Sequence, residues 1–140
     1  MDVHFVDSNV FYYHLLQDKV HGPRATGIIS RIEAGEPAAT SVVVLSELMS
    51  LFEFRVVQTR RCKDLSKAER EYVVERFERS ASSLYDLVTT LVHLRKLDFT
   101  WNDAIQAFTY RTRHKLGFND AANVAVMERH DISSIYSFDK

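Results

Sequence analysis

The segment HFVDSNVF, residues 4–11, decides the fold of this chain. Its apolar residues predict a short buried strand that ends at Asp7, and the residues that follow predict a helix beginning at Ser8 or Asn9. Removing a carboxylate from water at the edge of a hydrophobic core costs free energy unless a positive charge or hydrogen-bond donors compensate its charge. Asp7 therefore faces either the N-terminus of the helix or a bound metal ion.

Outward from this segment, strand patterns and helix patterns follow one another along the chain. Strands are predicted at residues 2–6, 37–41, 92–97 and 132–137. Helices are predicted at residues 8–18, 24–35, 41–57, 65–80, 100–117 and 118–130, and the first half of residues 83–99 is also predicted to be helical. Strands separated by helices predict an α/β fold, with a short central parallel sheet flanked by helices on both faces.

Turn and cap residues predict where several of these elements begin and end. Gly22-Pro23 is predicted to break the chain before the second helix. Thr100 is predicted to cap a helix, with Asp103 three residues later, and Gly117 to end that helix.

Length and composition indicate one ordinary globular domain spanning residues 1–140. Hydrophobic residues make up 46% of the sequence and charged residues 26%, and the net charge is −1. The sequence has no run of eighteen apolar residues and no basic n-region, so we expect neither a membrane span nor a secretory signal. Cys62 is the single cysteine, which excludes an internal disulfide. We therefore interpret the protein as intracellular and expect it in the cytoplasm.

Four carboxylates occupy positions that an ordinary surface does not explain. Asp7 and Asp139 each follow a predicted strand. Glu47 interrupts a mostly apolar helix face, where a surface carboxylate would normally have polar neighbours. Asp120 lies in the first turn of a helix, where an aspartate also stabilises the helix dipole.

These carboxylates make chemical sense as one group. The carboxyl ends of parallel strands meet at one edge of an open sheet, which is where such sheets bind ligands. Clustered carboxylates repel one another unless a cation lies between them, and oxygen ligands select hard ions such as Mg²⁺ or Mn²⁺. The six histidines form no close pair at helical spacing, so a zinc site is not expected. We therefore predict that Asp7, Glu47, Asp120 and Asp139 bind Mg²⁺ or Mn²⁺.

The stretches VDSNVF, TSVVVLSEL, GFNDAANVAV and YSFDK, taken in this order, resemble the PIN domain, a family of small metal-dependent ribonucleases. Among PIN proteins the chain looks most like the VapC toxin of VapBC toxin–antitoxin pairs. The resemblance implies that Asp7, Glu47, Asp120 and Asp139 are the acidic residues of the site. It also implies that Asn9 and Ser137 support the site by hydrogen bonding.

The resemblance implies an activity and partners as well. The expected activity is cleavage of RNA phosphodiester bonds by a Mg²⁺- or Mn²⁺-dependent endoribonuclease that a cognate antitoxin neutralises. RNA would approach the acidic site along basic side chains. The candidates for that role are Arg55, Arg60, Arg61, Arg111, Arg113 and Lys115.

Dense aromatic residues raise the question of further partners. They lie in the predicted first and third helices, as Phe11, Tyr12, Tyr13, Phe52 and Phe54. We predict that they pack in the core, with a dimer surface or an antitoxin groove as the alternative. We expect the protein to form a homodimer.

Two other functions stay open at this point. A phosphatase of the haloacid-dehalogenase type would use Asp7 as a nucleophile, but that chemistry needs a second aspartate where Asn9 stands. A PIN-like domain that binds RNA or protein without cutting is the main alternative. The four acidic positions argue against it, and the position of Asp139, one residue before the end of this sequence, argues for it.

Overall fold

The computed structural model describes residues 2–138 and contains a sheet of four parallel strands. The strands are β1 (His4–Val6), β2 (Ala38–Ser41), β3 (Leu94–Leu97) and β4 (Ser134–Tyr136), in the spatial order β3-β2-β1-β4. Phe5 pairs with both Ala39 and Ile135, so β1 lies between β2 and β4. The predicted α/β class with a parallel sheet is confirmed.

Six helices connect the strands. They are α1 (Ser8–Leu16), α2 (Gly22–Glu33), α3 (Val42–Arg60), α4 (Lys67–Thr90), α5 (Trp101–His114) and α6 (Phe118–Arg129). Each step from β1 to β2 and from β2 to β3 moves the chain the same way across the sheet, whereas the step from β3 to β4 moves it back. Right-handed crossovers therefore put α1 to α4 on one face and α5 and α6 on the other.

Several element boundaries differ from the prediction. Residues 65–80 and the first half of residues 83–99, predicted as two helices, form the single helix α4. At two other places the reason for the difference is local. Gly22-Pro23 begins α2 rather than breaking the chain before it, because proline lacks only an N–H that the first turn leaves unpaired anyway. Gly117 does not end α5. Lys115 ends it in a left-handed conformation with φ of 55°, and Gly117 is the N-cap of α6.

The core lies mainly between the sheet and the helices of the α1-to-α4 face. Phe5, Phe11, Leu48 and Phe52 are among its fully buried side chains. The prediction that Phe54 packs in the core is wrong, because its side chain is exposed on α3. A smaller apolar cluster joins the start of α3 to α5 and α6, and it is built mostly of alanines. Small side chains let α5 and α6 pack closely over the sheet. Across residues 2–138, none of the helices is both long and apolar enough to cross a membrane.

Candidate active site

Asp7 stands where β1 ends and α1 begins, and it is buried, with only 6% of its surface exposed. Its backbone is extended, and its carboxylate Oδ1 accepts a hydrogen bond from the Ser8 backbone N–H at 2.8 Å. Its own backbone N–H donates to the Tyr136 carbonyl on β4 at 3.1 Å. Asp7 therefore caps α1, and its backbone bond to β4 together with its side-chain bond to Ser8 fixes where its carboxylate lies.

The segment after β4 holds the other side of this carboxylate. The Ser137 hydroxyl donates to Asp7 Oδ2 at 3.1 Å and accepts from the Asn9 side-chain amide at 3.3 Å. Asn9 Oδ1 in turn accepts from the Phe138 backbone N–H at 3.2 Å. One hydroxyl proton and one amide group thus join α1 to the residues that follow β4.

Glu47 comes to the same place from the second turn of α3. Its side chain is half-buried because its neighbours on the helix, Val44 and Leu48, pack into the core. The Ser8 hydroxyl donates a hydrogen bond to Glu47 Oε1. Since the Ser8 backbone already donates to Asp7, this one residue links the two carboxylates.

Asp120 lies at the same edge of the sheet, although its side chain is exposed. One helical turn further on, buried Asn123 accepts a hydrogen bond at 3.1 Å from the hydroxyl of Ser41, the last residue of β2. Phe118, the first residue of α6, packs edge-on against Phe99 just after β3, with ring centroids 6.3 Å apart. The first turn of α6 therefore lies over the carboxyl ends of β2 and β3.

The chemistry of these donors fits a hard divalent cation. Asp7, Glu47 and Asp120 offer carboxylate oxygens only, and Mg²⁺ is commonly bound through one or two carboxylates while it keeps several waters. Within residues 2–138, no three Asp, Glu, His or Cys side chains are grouped so that they could hold a metal ion by themselves. Asp139, the fourth predicted ligand, lies outside the described residues.

The two basic segments lie at different distances from these carboxylates. Arg111, Arg113 and Lys115 are exposed at the end of α5, only a few residues before Asp120. Arg55, Arg60 and Arg61 are exposed on the second half of α3 and at its C-cap. At about 1.5 Å of rise per residue, Arg60 lies roughly 20 Å along the helix axis from Glu47. The α5 segment is the one that leads directly into the first turn of α6, which carries Asp120.

Sequence reasoning missed several residues that hold the site. Ser8, Ser41 and Asn123 make the hydrogen bonds described above. Their positions could have identified them, because Ser8 and Ser41 carry a hydroxyl at or beside the end of a strand and Asn123 carries an amide one helical turn after Asp120. Arg24 was also missed. Its guanidinium lies 5.4 Å from the ring centroid of Phe138, so a cation stands next to the segment that carries Ser137.

Asp103 is a second buried aspartate, far along the chain from Asp7, with 3% of its surface exposed. It forms a capping box with Thr100, and the Arg129 Nε donates to Asp103 Oδ1 at 2.9 Å. Burial would raise the pKa of Asp103, but hydrogen bonds from Arg129 and Thr100 and the guanidinium charge outweigh that effect and hold it below its usual value. This carboxylate joins α5 to α6 as part of an ion pair.

Comparison with known proteins gives the family and the fold. A sequence model of the PIN domain matches residues 4–140, and a search of curated proteins finds no significant match. VapC20 of Mycobacterium tuberculosis, a Sarcin-Ricin loop cleaving toxin, matches with a TM-score of 0.68 and 24% identity over 99% of this chain and 90% of that one. VapBC2 from Rickettsia felis, solved bound to a DNA fragment from its own promoter, matches with a TM-score of 0.57 and 15% identity over 98% of this chain and 88% of that one. At these identities the two structures support the fold.

Proposed function

This chain belongs to the PIN domain family, and we propose that it is a Mg²⁺- or Mn²⁺-dependent endoribonuclease that cleaves RNA phosphodiester bonds. The observation that carries the proposal is the placement of Asp7 and Glu47 on either side of Ser8, which donates to both carboxylates. Two carboxylates oriented at the carboxyl edge of a parallel sheet are suited to hold a cation where such sheets bind ligands.

The metal would be held by Asp7 and Glu47, with Asp120 and Asp139 as further ligands. When bound, a divalent ion lowers the pKa of a coordinated water and offsets charge on the phosphate. A shortage of direct protein ligands is no obstacle for Mg²⁺, because its retained waters can reach carboxylates that do not touch the ion.

The side chains of the site have separate tasks in this proposal. Ser8 and Ser137 orient the Asp7 carboxylate from two sides. Ser8 also orients Glu47, while Asn9 keeps Ser137 in place to donate. The low polarity around buried Asp7 strengthens its attraction for a cation, since screening by water is reduced there.

Basic side chains would guide RNA to this edge. Arg111, Arg113 and Lys115 would contact phosphates next to the scissile bond, because they precede Asp120 by only a few residues. Arg55, Arg60 and Arg61 would serve only an RNA that extends about 12 to 21 Å along α3 from Glu47. Loss of an α5 cation should therefore weaken binding of short substrates more than loss of Arg60.

We further propose that the protein is the toxin of a toxin–antitoxin pair and acts in the cytoplasm. Family membership and the fold shared with VapC20 support this assignment. The cognate antitoxin would be a small DNA-binding protein, by analogy with VapBC2, which was solved with promoter DNA.

A cleavage assay tests the proposal. The purified chain is incubated with end-labelled single-stranded RNA and Mg²⁺ or Mn²⁺, then with excess EDTA, and then with the metal restored. We expect internal cuts with either ion, loss of cutting with EDTA and recovery on restoring the metal. Full cutting in EDTA would exclude the metal mechanism. Tight RNA binding without cutting under any of these conditions would favour a domain that binds RNA but does not cleave it.

A further inference from the structure

Three aromatic rings from three separate parts of the fold meet beside the segment that follows β4. They belong to Tyr13 on α1, His21 at the N-cap of α2, and Phe138. The ring centroids lie 4.7 Å apart for Tyr13 and His21 and 5.3 Å apart for Tyr13 and Phe138. Those of His21 and Phe138 lie 5.1 Å apart. Each ring therefore contacts both of the others, and this ring cluster joins the first two helices to the segment after the last strand.

Phe138 is also next to the hydrogen bonds that orient Asp7. Its backbone N–H donates to Asn9 Oδ1 at 3.2 Å, and the hydroxyl of the preceding residue, Ser137, donates to Asp7 Oδ2 at 3.1 Å. The pairing between β1 and β4 ends at Tyr136, so it does not hold the two residues that follow. The placement of Phe138 therefore decides whether Ser137 can reach the carboxylate.

We infer that His21 is a positioning residue for the candidate active site: its ring holds Phe138, and Phe138 keeps Ser137 where it donates to Asp7. The inference rests on the proposed nuclease function and adds to it a residue that lies outside the acidic edge of the sheet. Residues that orient metal ligands without touching the metal change metal affinity or activity by roughly 10- to 100-fold when they are replaced.

The turn between α1 and α2 fixes the place of the His21 ring. The Asp18 carboxylate accepts from the His21 backbone N–H at 2.8 Å, and the Asp18 backbone N–H donates to the Tyr13 carbonyl at 3.0 Å. A Cβ on Gly22 would lie only 3.1 Å from the Gln17 backbone carbon, so the absence of a side chain lets the turn close this tightly. The His21 ring is thereby held against Tyr13 and presented to Phe138.

Arg24 adds a cation to the same ring. Its guanidinium carbon lies 5.4 Å from the Phe138 centroid, and it lies close to His21 because the two residues are three positions apart at the start of α2. A cation over an aromatic face is attracted to it, but the attraction is weak where the cation stays in water. The Arg24 side chain is exposed. We therefore expect Arg24→Ala to act in the same direction as loss of the His21 ring, with a smaller effect.

His4 offers a matched control, because its ring also packs on an aromatic side chain of the last strand. The His4 and Tyr136 rings are stacked with centroids 4.6 Å apart. The Tyr136 hydroxyl donates at 2.9 Å to Glu36, which precedes β2. This pair therefore lies toward the amino edge of the sheet, whereas Asp7 lies at the carboxyl edge. His4→Ala should lower stability without moving Ser137.

Amide hydrogen exchange followed by NMR tests the inference without any nuclease activity. In His21→Ala the Phe138 N–H should exchange at least about 10-fold faster than in the parent, because its bond to Asn9 opens more often. His21→Phe restores a ring and should bring the exchange back to within about two-fold of the parent. His4→Ala should leave it unchanged. If circular dichroism shows His21→Ala to be misfolded, Phe138→Leu carries the test, since it removes the ring and keeps the N–H.

Metal binding and kinetics test the effect on the site. His21→Ala should lower Mn²⁺ affinity and kcat for RNA cleavage about 10-fold each with little change in KM. Unchanged Phe138 exchange in His21→Ala, or equal effects of His21→Ala and His4→Ala, would overturn the inference. A higher KM at unchanged Mn²⁺ affinity would also overturn it and assign His21 to RNA contact. A parent chain that cuts no RNA with either metal would refute the proposed function, and exchange at Phe138 would then decide by itself whether His21 holds this segment.

Discussion

Asp7 and Asp103 are both buried aspartates at the start of a helix, yet they lie in different parts of the fold. Asp7 accepts from the Ser8 amide and the Ser137 hydroxyl, at the edge where a parallel sheet binds ligands. Asp103 accepts from the Arg129 guanidinium as well as from Thr100. A guanidinium balances the charge of a carboxylate as well as orienting it. The position of Asp7 is suited to a ligand site, and the ion pair of Asp103 to joining two helices.

The largest expected effect comes from Asp7→Asn, which keeps the shape of the side chain and removes its charge. We expect RNA cleavage to fall at least about 1,000-fold, because charge stabilisation at the metal and phosphate is the main catalytic term. The melting temperature should change little, since the amide oxygen still accepts from Ser8. Cleavage at the parent rate by the folded variant would remove Asp7 from the mechanism.

The matching change at the other aspartate, Asp103→Asn, should act on stability instead. The variant leaves Arg129 without its charged partner, and we expect a loss of roughly 2 kcal/mol, or about 6 °C in Tm for a chain of this length. Cleavage per folded molecule should be retained at low temperature. A double variant with Arg129→Gln should lose less than the sum of the two single losses, because the pair acts as a unit.

Acid titration sharpens the same comparison. Because the pKa of Asp103 is lowered in the folded state, its contribution to stability is present above the ordinary aspartate pKa of about 3.9 and is lost as the pH falls through the folded value. Urea unfolding of the parent should therefore lose stability in this acid range. Asp103→Asn should lose less there. Equal slopes for both proteins would mean that the ion pair contributes nothing.

The smallest of these effects is expected for Ser8→Ala, which removes the hydroxyl that Glu47 accepts from. We expect cleavage and Mn²⁺ affinity to fall about 10-fold, the low end for residues that orient metal ligands. Ser8→Thr keeps a hydroxyl and should recover most of the loss. Calorimetric Mn²⁺ titration separates a positioning role from a structural one, since the latter would change Tm and not the affinity.

Much of the fold could be predicted from the sequence because its signals are local. Apolar runs and helical periodicity placed the strands and helices, and their alternation gave the parallel sheet. Boundaries were less predictable where one residue suits two roles. Gly117 is acceptable both as a helix end and as an N-cap, and only the three-dimensional link between α5 and α6 decides between them.

The acids of the candidate site could be named from the sequence, whereas the hydrogen bonds between its residues could not. Asp7 and Glu47 stood out as charges in apolar surroundings. The Ser8–Glu47 and Ser41–Asn123 hydrogen bonds join residues that are far apart in sequence, so no local sequence pattern predicts them. For the same reason, Asp103 looked like an ordinary capping residue until Arg129 on α6 was seen beside it.

The bond between Ser137 and Asp7 spans 130 residues and sets an order of events in the cell. A ribosome that adds about 5–20 residues per second needs roughly 7–26 s between these two positions. During that interval β1 has no β4 to pair with, and the Asp7 carboxylate has no Ser137 to orient it. Under the proposed nuclease function, a nascent chain would therefore not cut RNA until β4 has emerged from the ribosome.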